Sequence, residues 1–413
     1  MNEFELGEND IMKILQVNNF YQEGSTGKIV ADIKTILDYK GIDSLVCYGR
    51  GKTLADKKNG VVRICSNEYA KFCKLLAGIV GVKFSWCHIS TNKLISIIKK
   101  EKPDVVHLHC INDNVLNIYR IINYLKNNNI PTVLTLHAEF MYTANCGYAL
   151  DCDKWRTGCH DCERWRKETT SFFRDGTRSS WLKMKKAFDG FNNLEVVSVS
   201  SWLEKRAKDS DILSDKRHSV ILNGIDTTGV FHITKSNYRE TMDLQNKKVV
   251  VHVTASFSRP IKGGKYLIEL ANRMPDVAFI LIGNSDTNIS LPSNIIDIGR
   301  INDQKELAKY YSLADLFVLT SEKETFCMPV AESLCCGTPV VGFRAGAPEE
   351  IALQQYSEFV PFGDMKALEC EVRKWLDKNI DSEIISREAT KCYSKEAMTN
   401  AYIELYNKMT KNK

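Results

Sequence analysis

Short apolar runs alternate with longer amphipathic stretches from Met12 onward, and the chain completes that alternation twice. Runs such as Val105–Leu108 and Leu316–Leu319 are apolar at nearly every position rather than at every second one, which a strand tolerates only when both of its faces are covered. Intervening helices supply that cover in parallel α/β sheets, because a parallel pair needs a long crossover. The spacing predicts strands over 13–18, 44–48, 105–108, 132–136 and 196–200, with helices over 27–40, 92–101 and 115–127. A second set follows, with strands over 248–254, 278–282, 295–298, 316–319 and 339–342 and helices over 266–273, 304–313, 329–336 and 365–378. Pro103 and Pro131 each punctuate a helix-to-strand crossing. The expected class is α/β, with two doubly wound Rossmann-like domains facing a cleft.

At 413 residues the chain exceeds one ordinary core and suits two domains. The expected division is a leader over 1–11, acidic, polar and disordered, and a first domain over 12–222 carrying a Cys-rich insertion at 139–186. A second domain follows over 223–392, then a final helix over 393–413 with Ala397, Ala401, Tyr402, Leu405 and Tyr406 on one side. The longest apolar run, Leu75 to Val82, is too short to span a bilayer, and the residues after Met1 do not read as a secretory signal. A cytoplasmic address is expected, at which the fourteen cysteines stay reduced.

Chemistry concentrates in SEKETFCMPVAESLCCGTPVVG, residues 321–342. Pro329 suits the first position of a short helix and Gly337 the residue past its end. The N–H groups near Phe326, Cys327 and Met328 then lie at the positive helix end, where a phosphate is held well. Glu324 and Glu332 stand on either side. Two carboxylates beside an anion repel it unless they face sugar hydroxyls, so the pattern reads as a clamp for a nucleotide-linked sugar. The structural alternative is a helix-start charge at Glu332 and a solvated one at Glu324.

Other loops after predicted strands carry ligand-binding residue types. Asn19 to Lys28 places Gly24 and Ser25 before a helix, although neither a Walker loop nor a G-x-G-x-x-G fingerprint is present. His109 and His137 end two strands, where open α/β sheets bind ligands; strand alternation puts His107 and His109 on the same side, leaving a buried hydrogen-bonded pair as the alternative. Residues 253–265 hold Arg259, Lys262 and Lys265 beside Gly263 and Gly264, which suits a diphosphate. Cys146, Cys152, Cys159 and Cys162 follow a C-x5-C-x6-C-x2-C spacing. A structural zinc site is the expectation for them, with His160 as a substitute ligand and an iron–sulfur cluster, disulfides or unrelated thiols as alternatives. Residues 154–186 hold ten Lys or Arg against four Asp or Glu, interleaved with Trp155, Trp165, Phe172, Phe173 and Trp181. That composition suits peripheral contact with an anionic membrane or, more simply, a solvated basic face, and gives little reason to expect a nucleic-acid partner.

The 321–342 segment resembles the E-x7-E region of the retaining family-four glycosyltransferases, a large GT-B group, and the resemblance extends over roughly residues 12 to 410. It implies a last helix crossing back to the first domain. It also implies a catalytic set of His137, Glu324, Lys262 and Arg259, with Glu324 contacting the donor sugar and Glu332 the nucleotide ribose. Lys262, with Arg259 or Lys265, would neutralise the leaving diphosphate without a catalytic metal. Gly24 and Ser25 would lie near the donor, and Arg300 and Ile301, after Gly299, beside the base. Ala138 stands where the family more often has Asp. The donor implied is a UDP- or GDP-sugar, and the acceptor a surface glycan or lipid-linked oligosaccharide at the inner face of a bacterial membrane. A nucleotide-sugar epimerase and a non-catalytic sugar-nucleotide or zinc scaffold are the competing functions.

Overall fold

The computed structural model describes residues 12–254, 256–284, 286 and 288–411. The expected leader at 1–11 lies outside the described residues. The chain divides into two compact units. The first comprises the residues up to Val199, Leu203–Ile221 and those from Thr399 onward; the second comprises Ser200–Trp202 and Leu222–Met398.

The first unit is built on β1 (Lys13–Asn18), β2 (Asp43–Tyr48), β3 (Val61–Arg63), β4 (Val105–Leu108), β5 (Thr132–Leu136), β6 (Leu194–Ser198) and β7 (Arg217–Val220). These form one sheet in the order β3-β2-β1-β4-β5-β6-β7, every pairing parallel. All positions of β4, β5 and β6 are buried, as the unbroken apolar runs require. The chain moves outward from β1 through β2 and β3 and then returns to the other side of β1 at β4, so the order reverses between β1 and β4. In open α/β sheets such a reversal opens a crevice at the carboxyl ends of the strands.

The second unit repeats the plan with β8 (Val249–Val253), β9 (Ala278–Ile282), β10 (Ile295–Gly299), β11 (Leu316–Leu319), β12 (Val340–Phe343) and β13 (Ser357–Val360). Its order is β10-β9-β8-β11-β12-β13, again parallel, with the reversal between β8 and β11. Phe279, Leu281, Leu267, Leu270, Val341 and Trp375 belong to its core.

Three strands escape the periodicity reading, and each stands at an edge of its sheet. β3 has three residues, β7 reads Arg-His-Ser-Val and is partly exposed throughout, and β13 interrupts its burial at Glu358. An edge strand buries less of itself and leaves a weaker pattern. The last helix, Lys395–Thr410, buries Met398, Thr399, Tyr402, Tyr406 and Met409. That stripe differs from the expected one at all but the two tyrosines. Their hydroxyls meet polar groups of the first sheet, Tyr402 at Thr135 Oγ1 (2.9 Å) and Tyr406 at His107 Nδ1 (2.7 Å).

The Cys-rich insertion gives no positive evidence for the expected zinc site. Among the described residues, no three His, Cys, Asp or Glu side chains are gathered to hold a metal ion, and all fourteen cysteines are free. Burial pushes the thiols of Cys146 and Cys159 up to about 12, and the nearby thiols of Cys146, Cys152 and Cys162 push Cys159 the same way. A buried carboxylate and an indole help organise the segment. Glu139 accepts from Arg206 Nε (2.5 Å), from the Tyr142 hydroxyl and from the Ala149 N–H. Trp155 is fully buried beneath the Arg206 guanidinium, 4.7 Å from its ring centre, and its carbonyl accepts from Trp181 Nε1 at 3.0 Å. Trp155 and Trp181 are therefore core residues, and the reading of residues 154–186 as one amphipathic face fails for both.

Candidate active site

The loops after β8 and β11 meet at the second unit's order reversal, and the closest charged pair of the candidate set lies there. Pro260–Lys262 forms a single 3₁₀ turn, ended by Gly263 at φ +70°. The Gly263 Cα approaches the next loop so closely that an added Cβ would lie 1.9 Å from the Thr320 carbonyl oxygen. Thr320 Oγ1 donates to the Lys262 carbonyl at 3.1 Å and the Glu322 N–H to the Ile261 carbonyl at 2.8 Å. These contacts set Lys262 opposite Glu324, with Nζ 2.6 Å from Oε1 and the side chains only 20% and 10% exposed. Glu324 is held from behind as well: its N–H donates to the Ala345 carbonyl (2.8 Å) and its carbonyl accepts from the Ala347 N–H (3.2 Å).

The short helix spans Met328–Cys335, shifted by one residue from its expected position. Its capping residue Cys327 has φ +77°, a conformation that non-glycine residues rarely adopt and that stores backbone strain where a functional loop demands it. Nothing in the sequence marks this, since Cys is not an αL former. Glu332 lies in the helix, buried, and its Oε2 accepts from the Tyr311 hydroxyl at 2.9 Å. Burial, with the Glu332 carboxylate beside it, pushes the Tyr311 phenol well above its ordinary range, so Tyr311 remains a donor.

The other cations separate from Lys262. Arg259 and Lys265 line a cavity of about 560 Å³ with Phe257, Tyr266, Phe362 and Glu322, and the Lys265 ammonium sits 4.7 Å from the Tyr266 ring centre. Lys262 and Glu324 are not among the residues lining it. Arg300 and Ile301 follow β10 directly, after Gly299 at φ +72°. The Gly299 carbonyl accepts from the Gly283 N–H at 2.7 Å, which ties the ends of β9 and β10.

In the first unit, the loops after β1 and β4 are joined by Asn19 N–H to the Cys110 carbonyl (2.7 Å) and by Cys110 N–H to Asn18 Oδ1 (3.0 Å). Gly24 opens the helix Gly24–Tyr39 at φ +65° and is followed by Ser25. Glu23, just before, accepts from the N–H groups of Lys52 (2.5 Å) and Thr53 (2.7 Å) and so anchors the glycine loop. His107 and His109 do point the same way, their ring centres 3.8 Å apart. His109 Nδ1 lies 3.2 Å from His137 Nε2, and His107 Nε2 lies 2.7 Å from Thr135 Oγ1. His137 therefore ends a file of imidazoles and hydroxyls that reaches Tyr402 and Tyr406. The sequence marked His107 and His109 as a pair; that His109 couples to His137 depended on strand register.

Burial holds His107 and His109 well below the ordinary imidazole range, and His252, which lies 3.0 Å from the Val318 carbonyl, at about 4. In the unfolded chain these rings titrate near 6.5, so between about 6.5 and 4 the unfolded state binds more protons than the folded one. Stability is therefore unaffected by them above that window and falls as pH drops through it, by up to about 1.4 kcal/mol per pH unit for each histidine. Thermal midpoints should decline between pH 6.5 and 4.5, and His109→Gln should reduce the slope. A flat midpoint over that range would contradict the assignment of neutral buried rings.

Two Rossmann-like units, each a parallel sheet with one order reversal, are the architecture of the GT-B class. Residues 44–228 match the family model described as Glycosyltransferase Family 4, and residues 235–392 match the one described as Glycosyl transferases group 1. The chain belongs to these GT-B glycosyltransferases, which transfer a sugar from a nucleoside-diphosphate sugar to an acceptor. It is 21% identical to a putative colanic acid biosynthesis glycosyl transferase, WcaC, of Escherichia coli K12, covering 96% of this chain and all of that one. Among solved structures it shares its fold with sucrose-phosphate synthase of Thermosynechococcus elongatus (TM-score 0.68, 15% identity, 97% of this chain and 100% of that one). It also shares it with HepE of Anabaena in complexes with UDP and with UDP-glucose (TM-scores 0.65 and 0.64, 16% identity, 96% of this chain and 100% of that one). Among the described residues, no helix is long and apolar enough to cross a membrane.

Proposed function

We propose that the protein is a retaining, metal-independent glycosyltransferase. It moves a hexose from a UDP- or GDP-sugar to a hydroxyl of a growing glycan or lipid-linked acceptor in surface polysaccharide synthesis. The observation that carries this reading is the Lys262–Glu324 pair at the reversal between β8 and β11, next to the N-terminus of Met328–Cys335. Lys262 and the N–H groups near Phe326, Cys327 and Met328 supply positive charge for the diphosphate as the bond from the anomeric carbon to the phosphate oxygen breaks. Glu324, held by Lys262, accepts from donor-sugar hydroxyls, and Glu332, steadied by Tyr311, accepts from the ribose. The acceptor hydroxyl bonds to the anomeric carbon on the face the diphosphate leaves. Its proton passes to a leaving phosphate oxygen, so configuration is retained and no side chain becomes covalently attached.

To His137, Gly24 and Ser25 we assign contacts with the donor sugar, and to Arg300 and Ile301 the base, on the family resemblance. Arg259 and Lys265 retain a role at the diphosphate only if their loop turns them from the cavity they line. The UDP and UDP-glucose complexes of HepE favour UDP-sugars among the candidate donors. The test is incubation with a panel of UDP-, GDP- and ADP-sugars, with nucleotide release followed with and without a bacterial membrane extract. Release from one donor, enhanced by the extract and undiminished by EDTA, is expected. No release from any donor would overturn the assignment, and an altered nucleotide sugar formed without acceptor would point to an epimerase.

A further inference from the structure

The helix Asn67–Val80 in the first unit carries Phe72, Leu75 and Ile79 at helical spacing, all about half exposed. Beside it, the segment after the short helix Trp165–Thr169 exposes Phe172 and Phe173, the latter 76% accessible. The two segments are built together. Phe172 lies where a Gly78 side chain would be, within 2.8 Å of an added Cβ, and its N–H donates to the Gly78 carbonyl at 2.8 Å. Arg174 Nε donates to the Val80 carbonyl at 2.7 Å, and Gly81 and Gly176 pack so closely that a Cβ on Gly176 would lie 1.6 Å from the Gly81 carbonyl oxygen. A glycine inside a helix is unfavourable, and here it makes room for an aromatic ring that remains half in solvent. Five of the eleven large apolar side chains exposed among the described residues thus fall on one surface, too concentrated for scattered exposure.

The charges around that surface identify its partner. Lys71 and Lys74 are exposed on the helix, Arg174 flanks the two phenylalanines, and Arg166 and Lys167 are exposed on the short helix before them. Against these, Glu68 is exposed at the start of the helix and Glu163 before the short helix, while half-buried Glu168 faces Lys83 and Asp175 is occupied by the N–H groups of Cys162 and Thr177. Apolar side chains ringed by cations match the interface of an anionic bilayer, where rings enter the headgroup boundary and ammonium groups meet lipid phosphates.

We propose that Phe72, Leu75, Ile79, Phe172 and Phe173, with Lys71, Lys74 and Arg174, form a docking face for an anionic phospholipid surface. This replaces the broader 154–186 segment as the membrane-facing element, and it stands independently of the transferase reading because its test measures binding alone. The experiment is flotation of the full-length protein with extruded vesicles of phosphatidylglycerol and phosphatidylcholine, compared with pure phosphatidylcholine. The wild type should bind the anionic vesicles at least tenfold more tightly. Phe172→Ser/Phe173→Ser and Lys71→Glu/Lys74→Glu should each weaken that binding at least tenfold while leaving the thermal midpoint unchanged; Phe173→Ser alone provides the same test should the double variant fold poorly. Equal binding to both vesicle types, no binding, or variants that bind as the wild type would overturn the proposal. So would light scattering showing a dimer that these variants split, since the face would then receive a second copy of the chain.

Discussion

Replacing Lys262 by methionine is expected to lower turnover by about a hundredfold to a thousandfold, the usual effect of removing one preorganised group from developing charge. The ammonium is held 2.6 Å from Glu324 Oε1 before any ligand arrives, so it need not reorganise as the diphosphate departs. The same substitution leaves a largely buried carboxylate without its ion pair and should cost about 1–3 kcal/mol of stability. These two effects are separable. In Lys262→Met/Glu324→Gln the stranded charge is gone and stability should largely return, whereas turnover should stay low because nothing replaces the cation at the phosphates. The double variant decides the role of the pair: turnover restored to the wild-type level would reduce Lys262 to a structural partner of Glu324.

Gly263→Ala should be strongly damaging. Gly263 has φ +70°, which costs an L residue about 1–2 kcal/mol. An added methyl would also stand 1.9 Å from the Thr320 carbonyl oxygen, a backbone atom that cannot rotate away. The loops after β8 and β11 must then part, breaking the bonds from Thr320 to Lys262 and from Glu322 to Ile261 that set Lys262 against Glu324. Loss of both stability and turnover is expected, by more than about 3 kcal/mol and about a hundredfold. Gly363→Ala is the control, because that glycine has φ +82° but an added Cβ would meet only the Tyr266 hydroxyl, 3.6 Å away. Its midpoint should fall only by the conformational cost. Equal effects at both positions would show that left-handed geometry, not loop contact, governs Gly263.

The parts legible in the sequence follow from local physics. Strands covered on both faces read as unbroken apolar runs, so β1, β4, β5, β8, β9 and β11 lay close to their expected places. The short helix was visible to within one residue because Pro329 fixes its φ near the helical value and Gly337, at φ +82°, accepts the left-handed turn past the helix end. The edge strands β3, β7 and β13 were not, because an edge buries too little to pattern its residues. The four-cysteine spacing placed Cys146, Cys152 and Cys162 near Cys159, but among the described residues no three donors gather as a metal site. What the spacing did not show is that the buried Glu139 carboxylate and the Trp155 indole help organise the folded insertion.

Unaided, the sequence specified two parallel α/β units, the loops that carry chemistry and the residue types those loops offer, because burial periodicity and helix-end preferences are written within a few neighbouring positions. Tertiary structure alone chose among the cations, bringing Lys262 rather than Arg259 or Lys265 to Glu324, and it joined His109 to His137 and Tyr311 to Glu332. Those choices rest on strand order and on backbone contacts between residues roughly 20 to 60 positions apart, distances over which no local preference can act.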